Sequence, residues 1–329
     1  MKRVYLSFIL AIYLLVNVPA YAEPVKEEVF KAVVKIRSII PKDAPTARTL
    51  GTERQGNGVV IDEQGHILTI GYLIIETEKI EVIGPDGKTI NATFIGFDHN
   101  TGFGLIKTEK PLNVGPMKLG KSLRIKEGDQ ILVAGYGGAS AVQGAWVIAR
   151  KEFTGYWEYL LEEAIFTAPA IPDFGGAALI NREGDLLGIG SLFTQLIIPG
   201  LGAIPCNVFV PIDLLSPILE DLMTKGRPRE APRPWLGLNA EEAHGRVIVV
   251  RVTTGAPAEQ AGLKPGDIIL KVSGKAVNGL SDFYRKVWGL GKTGVEVPLS
   301  ILQGTQIRDI TIRSSDRYQF LWLKPKKLI

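Results

Sequence analysis

The 329-residue chain has one cysteine, three histidines and three methionines, and past its first 22 residues it has no apolar run long enough to span a bilayer. A single cysteine, Cys206, excludes an intramolecular disulfide and a cysteine-rich metal site. It sits in the apolar stretch GAIPCNVFVP, which marks it as a small buried hydrophobe, with no histidine nearby to make it a nucleophile. His66, His99 and His244 are widely separated and have no acids at ligand spacing, so neither a metal nor a cofactor is expected. His66 reads as a surface or packing residue, His99 as a solvent-exposed turn residue, and His244 as a loop residue. Charge of one sign is also scarce: 38 Lys and Arg are interspersed with 34 Asp and Glu, for a net charge of +4. That excludes a nucleic-acid partner, and the short basic end at Lys324-Pro325-Lys326-Lys327 reads as a solvated terminus.

Glycine is abundant instead, 37 residues with 20 prolines, scattered among short apolar runs such as GVVIDEQGHILTI and VFVPIDLL. This texture predicts a mainly β protein of many short strands and tight turns, and the length allows two or three domains. Residues 1–22 differ from the rest: Lys2 and Arg3 precede the apolar LSFILAIYLLVNV, and Ala20-Tyr21-Ala22 gives a small-x-small cleavage pattern. They read as an export signal cut after Ala22, leaving no stable membrane span.

From residue 25 to 226 the pattern is strand, turn, strand. Hairpins are predicted on Asp62-Glu63-Gln64-Gly65 and on Asn181-Arg182-Glu183-Gly184, with further strands around Pro85-Asp86-Gly87 and over 129–150. Leu214, Leu215, Ile218, Leu219 and Leu222 fall at helical spacing, and Gly226 ends that helix. RPREAPRP, residues 227–234, reads as a linker. Residues 235–316 form a second unit with its own strands and one amphipathic segment, LSDFYRKVWGL, and 317–329 form a carboxy-terminal tail.

Within that second unit, GAPAEQAGLKPGDII (255–269) resembles the short-helix signature of bacterial PDZ domains, small antiparallel α+β barrels. Pro257 suits the first turn of a short helix and Gly262 its end. Trp235-Leu236-Gly237-Leu238 is similar to the loop with which such domains cradle a peptide carboxylate on successive N–H groups. Phe283, Val287 and Leu290, at i, i+4 and i+7, would form the other wall of the groove, or belong to the core.

The amino-terminal unit resembles the trypsin-like double β-barrel of the HtrA/Deg serine proteases. Its GNGVVIDEQGHILTIGY (56–72), DHNTGFGLIK (98–107), GDQILVAG (128–135) and GAIP (202–205) match the family's G-S-G-V-I-I-D-x-x-G-Y-I-L-T-N-N-H, D-x-x-T-D-L-A-V-L-K, G-D-x-V-x-A-I-G and F-A-I-P. Hydrolysis in that family needs a serine, a histidine and an aspartate. Here the histidine slot holds Tyr72, the aspartate slot Gly102, and the serine slot, within IPDFGGAALIN (171–181), holds Gly175. A one-residue shift puts Phe174 in the serine slot instead. Tyrosine, with a pKa near ~10, is a poor base at neutral pH. Asp173, or Pro172 in the shifted register, replaces the glycine whose N–H would help form the oxyanion hole.

The resemblance therefore implies an exported, periplasmic, non-catalytic protein. It would bind peptides or protein C-termini through its PDZ domain as a scaffold, a chaperone-like factor or a regulator of active relatives. A homo- or hetero-trimer is the assembly that the family implies. Two alternatives stay open: an active serine endopeptidase using Ser140 or Ser191, and a small-ligand or metal-binding protein using a vestigial cleft lined by Tyr72, Asp173 and Phe174.

Overall fold

The computed structural model describes residues 25–200 and 202–323. Residues 1–22, expected to be an export signal, and the basic Lys324–Lys327 end lie outside the described residues. Two one-turn helices, α1 (Glu27–Phe30) and α2 (Ala47–Leu50), flank the first strand. Six strands, β1 (Val33–Ile39), β2 (Glu53–Val60), β3 (His66–Ile70), β4 (Lys79–Ile83), β5 (Thr89–Phe97) and β6 (Phe103–Thr108), close a barrel in the order β1-β2-β3-β6-β5-β4. The expected hairpin joins β2 to β3, pairing Val59 with Leu68. Asp62 Oδ1 fixes its turn by accepting the N–H groups of Gln64 and His66, each at 3.0 Å. His66 is a buried packing residue, its Nδ1 2.6 Å from Asp62 Oδ2.

A second barrel has the order β10-β11-β12-β9-β8-β7. Its strands are β7 (Gln130–Ala134), β8 (Val142–Gly155), β9 (Tyr159–Ala168), β10 (Ala178–Ile180), β11 (Leu186–Ile198) and β12 (Gly202–Pro211). The hairpin expected on Asn181–Gly184 links β10 to β11. Cys206 is fully buried on β12. The two barrels share one apolar core that runs from Val34 and Leu105 to Ala164 and Val208.

Helix α3 (Leu219–Lys225) is shorter than the leucine spacing predicts. Ile212–Leu214 forms a 3-10 turn, and Pro217, which has no N–H to donate, delays the regular helix to Leu219. Gly226 ends it in the left-handed conformation at φ +75°.

The second unit is a sheet of order β13-β14-β15-β17-β18, with a short strand beside β15. These strands are β13 (Leu238–Ala243), β14 (Arg246–Val252), β15 (Ile268–Val272), β16 (Lys275–Ala276), β17 (Glu296–Gln303) and β18 (Gln306–Arg313). Helix α4 (Pro257–Gln260) carries Pro257 in its first turn, and α5 (Leu280–Trp288) buries Leu280, Phe283, Tyr284 and Val287. The segment from 317 to 323, expected as part of a carboxy-terminal tail, packs back on the first barrel. Tyr318 Oη accepts the N–H of His99 at 3.0 Å, and the Trp322 N–H donates to Glu76 at 3.3 Å.

Candidate functional site

Tyr72, Gly102 and Gly175, the residues that the resemblance places in the catalytic slots, lie close together in space. Tyr72 follows β3 on a 3-10 turn, where the buried Arg54 holds its carbonyl at 2.8 Å. A Cβ at Gly175 would stand 2.6 Å from Tyr72 Oη, so Gly175, and not Phe174, faces the tyrosine. Burial raises the Tyr72 phenol well above its ordinary pKa, which keeps it protonated and removes it as a base. Gly102 adopts φ +83°, and a Cβ there would lie 3.3 Å from both Ile70 and the Tyr159 hydroxyl. That hydroxyl donates to Thr101 O at 2.6 Å, so a tyrosine from β9 occupies the space beside the aspartate slot.

The glycines of IPDFGGAALIN have distinct causes. Gly176 has φ +74°, and a Cβ would come within 1.9 Å of Asn57 O, so the turn admits no side chain there. Asn57 staples the turn: its N–H donates to Gly175 O at 2.8 Å and its Nδ2 to Asp173 O at 2.8 Å. Beside the turn, Lys35, Tyr72, Tyr136, Asp173 and Phe174 line a cavity of about 290 Å³. Of the alternative nucleophiles, Ser140 Oγ bonds its own turn at Gly137 O, and Ser191 is buried in β11.

The loop before β13 is intact by contrast, and it holds a carboxylate. The N–H of Leu236 donates to Glu158 Oε2 at 2.9 Å, and those of Gly237 and Leu238 donate to Oε1 at 2.8 and 3.1 Å. Successive amides can converge this way because Gly237 takes φ +82°, and a Cβ there would meet Ala256 Cβ at 2.2 Å. Glu158 belongs to the turn between β8 and β9, in the other unit. Two residues before it, Tyr156 O accepts the N–H of Ala240 on β13 at 2.9 Å. Tyr284 Oη, from α5, donates to Gly155 O at 3.0 Å and accepts the Glu158 N–H at 3.1 Å. Burial, opposed by the three amides and by Arg317, pushes the Glu158 carboxyl up to about 7.

The spacing argument placed Phe283, Val287 and Leu290 on the groove wall. Phe283 and Val287 are fully buried core residues of the second unit, and Leu290 packs partly buried against them. Trp235 pairs through its backbone with Ser315 and packs at a tilt against Phe320, with ring centroids 4.6 Å apart. The groove contacts missed from sequence are Tyr284 and Glu158. The one local signal for Glu158 is an acid directly after two aromatics at a hairpin tip, in GYWEY.

Between the two units lies a cavity of about 420 Å³ lined by Tyr72, Gly102, Trp157, Ser191, Arg251 and Arg317, among others. His99, expected in solvent, borders it half-buried, with Nε2 2.5 Å from Arg317 Nη1. Burial first, then the guanidiniums of Arg317 and Arg233, hold its pKa well below the ordinary range, so it is neutral. A turn residue followed by polar neighbours gives no local sign that the segment after β18 will cover it.

A trypsin-like peptidase domain family matches residues 56–189, and a PDZ domain family matches 234–313. The chain is 28% identical over 274 residues to a probable periplasmic serine protease do/HhoA-like of Haemophilus influenzae, covering 78% of this chain and 57% of that relative. It is 25% identical over 322 residues to the periplasmic pH-dependent serine endoprotease DegQ of Escherichia coli, covering 88% and 69%. The chain spans a little over half the length of most of the curated relatives it matches. Its fold is shared with the HtrA-type protease AlgW with a tripeptide, at TM-score 0.52 and 22% identity over 91% of this chain and 97% of that one. It is shared also with a serine endoprotease from Yersinia pestis, at TM-score 0.51 and 24% identity over 89% and 98%. The chain thus joins a trypsin-like double barrel to a PDZ domain, and in sequence and fold it is similar to the HtrA/Deg-type proteases.

Proposed function

We propose that the protein is a non-catalytic member of this family that works in the periplasm and binds the carboxyl termini of peptides or proteins through its PDZ groove. It would act as a scaffold, a chaperone-like factor or a regulator of active relatives, in a homo- or hetero-trimer. The observation that carries this function is the loop 236–238, whose three consecutive N–H groups converge on one carboxylate. A carboxylate that accepts several backbone N–H groups is held by short, charge-assisted bonds, and this is the chemistry of a chain end. Solved relatives include AlgW with a tripeptide and with a decapeptide. Against hydrolysis stand the phenol of Tyr72 and the missing side chains at Gly102 and Gly175, which leave no nucleophile, no base and no group to orient one.

The test is a fluorescence-anisotropy titration of the mature chain with peptides ending in free apolar residues. Saturable binding that is lost on C-terminal amidation, and lost in Gly237→Ala, is expected. Binding indifferent to both changes would sink the proposal. Casein turnover blocked by a serine-directed phosphonate would favour the protease alternative.

A further inference from the structure

The edge of the PDZ sheet is already engaged by the protein's own chain. We infer that Tyr156-Trp157-Glu158, at the tip of the β8–β9 hairpin, is a built-in ligand of the groove, and that an external chain end with a free carboxylate binds by displacing it. This inference rests on the peptide-binding function proposed above and names what regulates it.

The register supports a ligand's role over a chance contact. β13 is the outermost strand of its sheet, so its free side is open to strand addition. An added strand bonds at every second residue. Ala240 N–H donates to Tyr156 O, and two residues earlier the Leu238 N–H reaches Glu158, two residues after Tyr156. One backbone bond and one bond to a side chain thus join the two segments in antiparallel order. Trp157 lies between these contacts, with its carbonyl held by Arg317 Nη1 at 3.0 Å.

At Glu158 the mimicry ends. A chain terminus would stop there, whereas Glu158 adopts φ +57°, gives its N–H to Tyr284 Oη and leads into β9. Its side-chain carboxylate reaches the amides that a terminal carboxylate would otherwise take. A non-glycine residue at positive φ is held there by its surroundings. The glutamate's three amide partners and the tyrosine are those surroundings. On the rim, Arg285 bridges α5 to both hairpin strands, 2.6 Å from Glu152 and 2.5 Å from Glu162.

A competitor fixed in the groove lowers apparent affinity by the fraction of molecules in which the groove is open. Removing the Glu158 carboxylate should therefore tighten external binding. The probe is fluorescein-Gly-Ser-Gly-Tyr-Trp-Val with a free carboxylate, titrated into the native mature chain, E158Q and E158A. The isosteric E158Q, whose Nε2 is a donor and cannot accept the Leu236 N–H that Oε2 now takes, guards against a folding defect in E158A. At least tenfold tighter binding by both variants is expected. In parallel, amide hydrogen exchange at Leu236, Gly237, Leu238 and Ala240 should accelerate at least tenfold in E158A without peptide, and slow again with it. Equal affinity of native and variant chains, still abolished by Gly237→Ala, would overturn the built-in ligand while leaving the groove's function standing. Unchanged exchange in both variants would overturn it as well. Faster exchange with no peptide binding by any chain would keep the hairpin tip in the groove and overturn the peptide-binding function.

Discussion

The cleft at Tyr72, Gly102 and Gly175 and the loop before β13 are both occupied by the protein itself, but in opposite ways. In the cleft the space is taken by Tyr72 and Tyr159, while Gly102 and Gly176 keep a backbone that no side chain could adopt without strain. In the loop the recognising groups are backbone N–H donors, which no substitution at Leu236 or Leu238 would remove short of proline, and a charged side chain has moved in to satisfy them. Serine-protease catalysis depends on three side chains, whereas the proposed recognition of a chain end depends on backbone N–H groups and on Gly237 holding its turn.

Several substitutions test this contrast. The largest effect is expected for Phe283→Ala, which empties a fully buried site and should cost about 3–5 kcal/mol by urea denaturation. A near-neutral result would return Phe283 to the groove wall. Next, Gly102→Asp and Gly237→Ala each place a side chain at positive φ against a neighbour, and each should destabilise by roughly 1–3 kcal/mol. They differ in consequence: Gly237→Ala should also abolish peptide binding, whereas Gly102→Asp should leave it unchanged. Combining Y72H, G102D and G175S should not yield casein turnover, because the aspartate backbone slot is strained and the Tyr159 hydroxyl still stands beside it. Measurable turnover would show that the cleft is intact in all but its side chains.

Tyr284→Phe removes a donor to Gly155 O and an acceptor for the Glu158 N–H, each worth about 0.5–1.5 kcal/mol. External peptide should bind more tightly to this variant, by a smaller factor than to E158Q.

The smallest effect is with pH. Docked, the Glu158 carboxyl is pushed up to about 7 by burial, against the pull of the amides and Arg317; the nearby Tyr284 phenol stays protonated, and His99 beyond Arg317 stays neutral. Undocked and in water it should titrate near ~4.3. The docked form therefore binds a proton more tightly, so docking is favoured as pH falls through 7 and weakened as pH rises through it. Native chain should bind peptide better at pH 8 than at pH 6, and E158Q should lose most of that dependence.

Much of the fold was legible because it is written locally. The Asp62–Gly65 hairpin, the Gly226 stop and the Pro257–Gly262 helix signature each follow from a few adjacent residues with specific backbone needs. The start of α3 was misjudged because Pro217 interrupts an otherwise regular leucine spacing. Phe283 and Val287 show the limit of spacing arguments, since a period of 3.6 gives the buried face of α5 without saying whether core or groove lies against it. Glu158 and its partners were invisible in sequence because they are separated by about eighty residues and meet only when the two units dock.

The central claim is recognition without cutting, and one cuvette tests it. An internally quenched peptide with a free apolar carboxyl terminus, added to the E158Q chain, reports binding by anisotropy and cleavage by dequenching. The expected result is a saturable rise in anisotropy with no dequenching over hours. Dequenching that a serine-directed phosphonate abolishes would contradict the account.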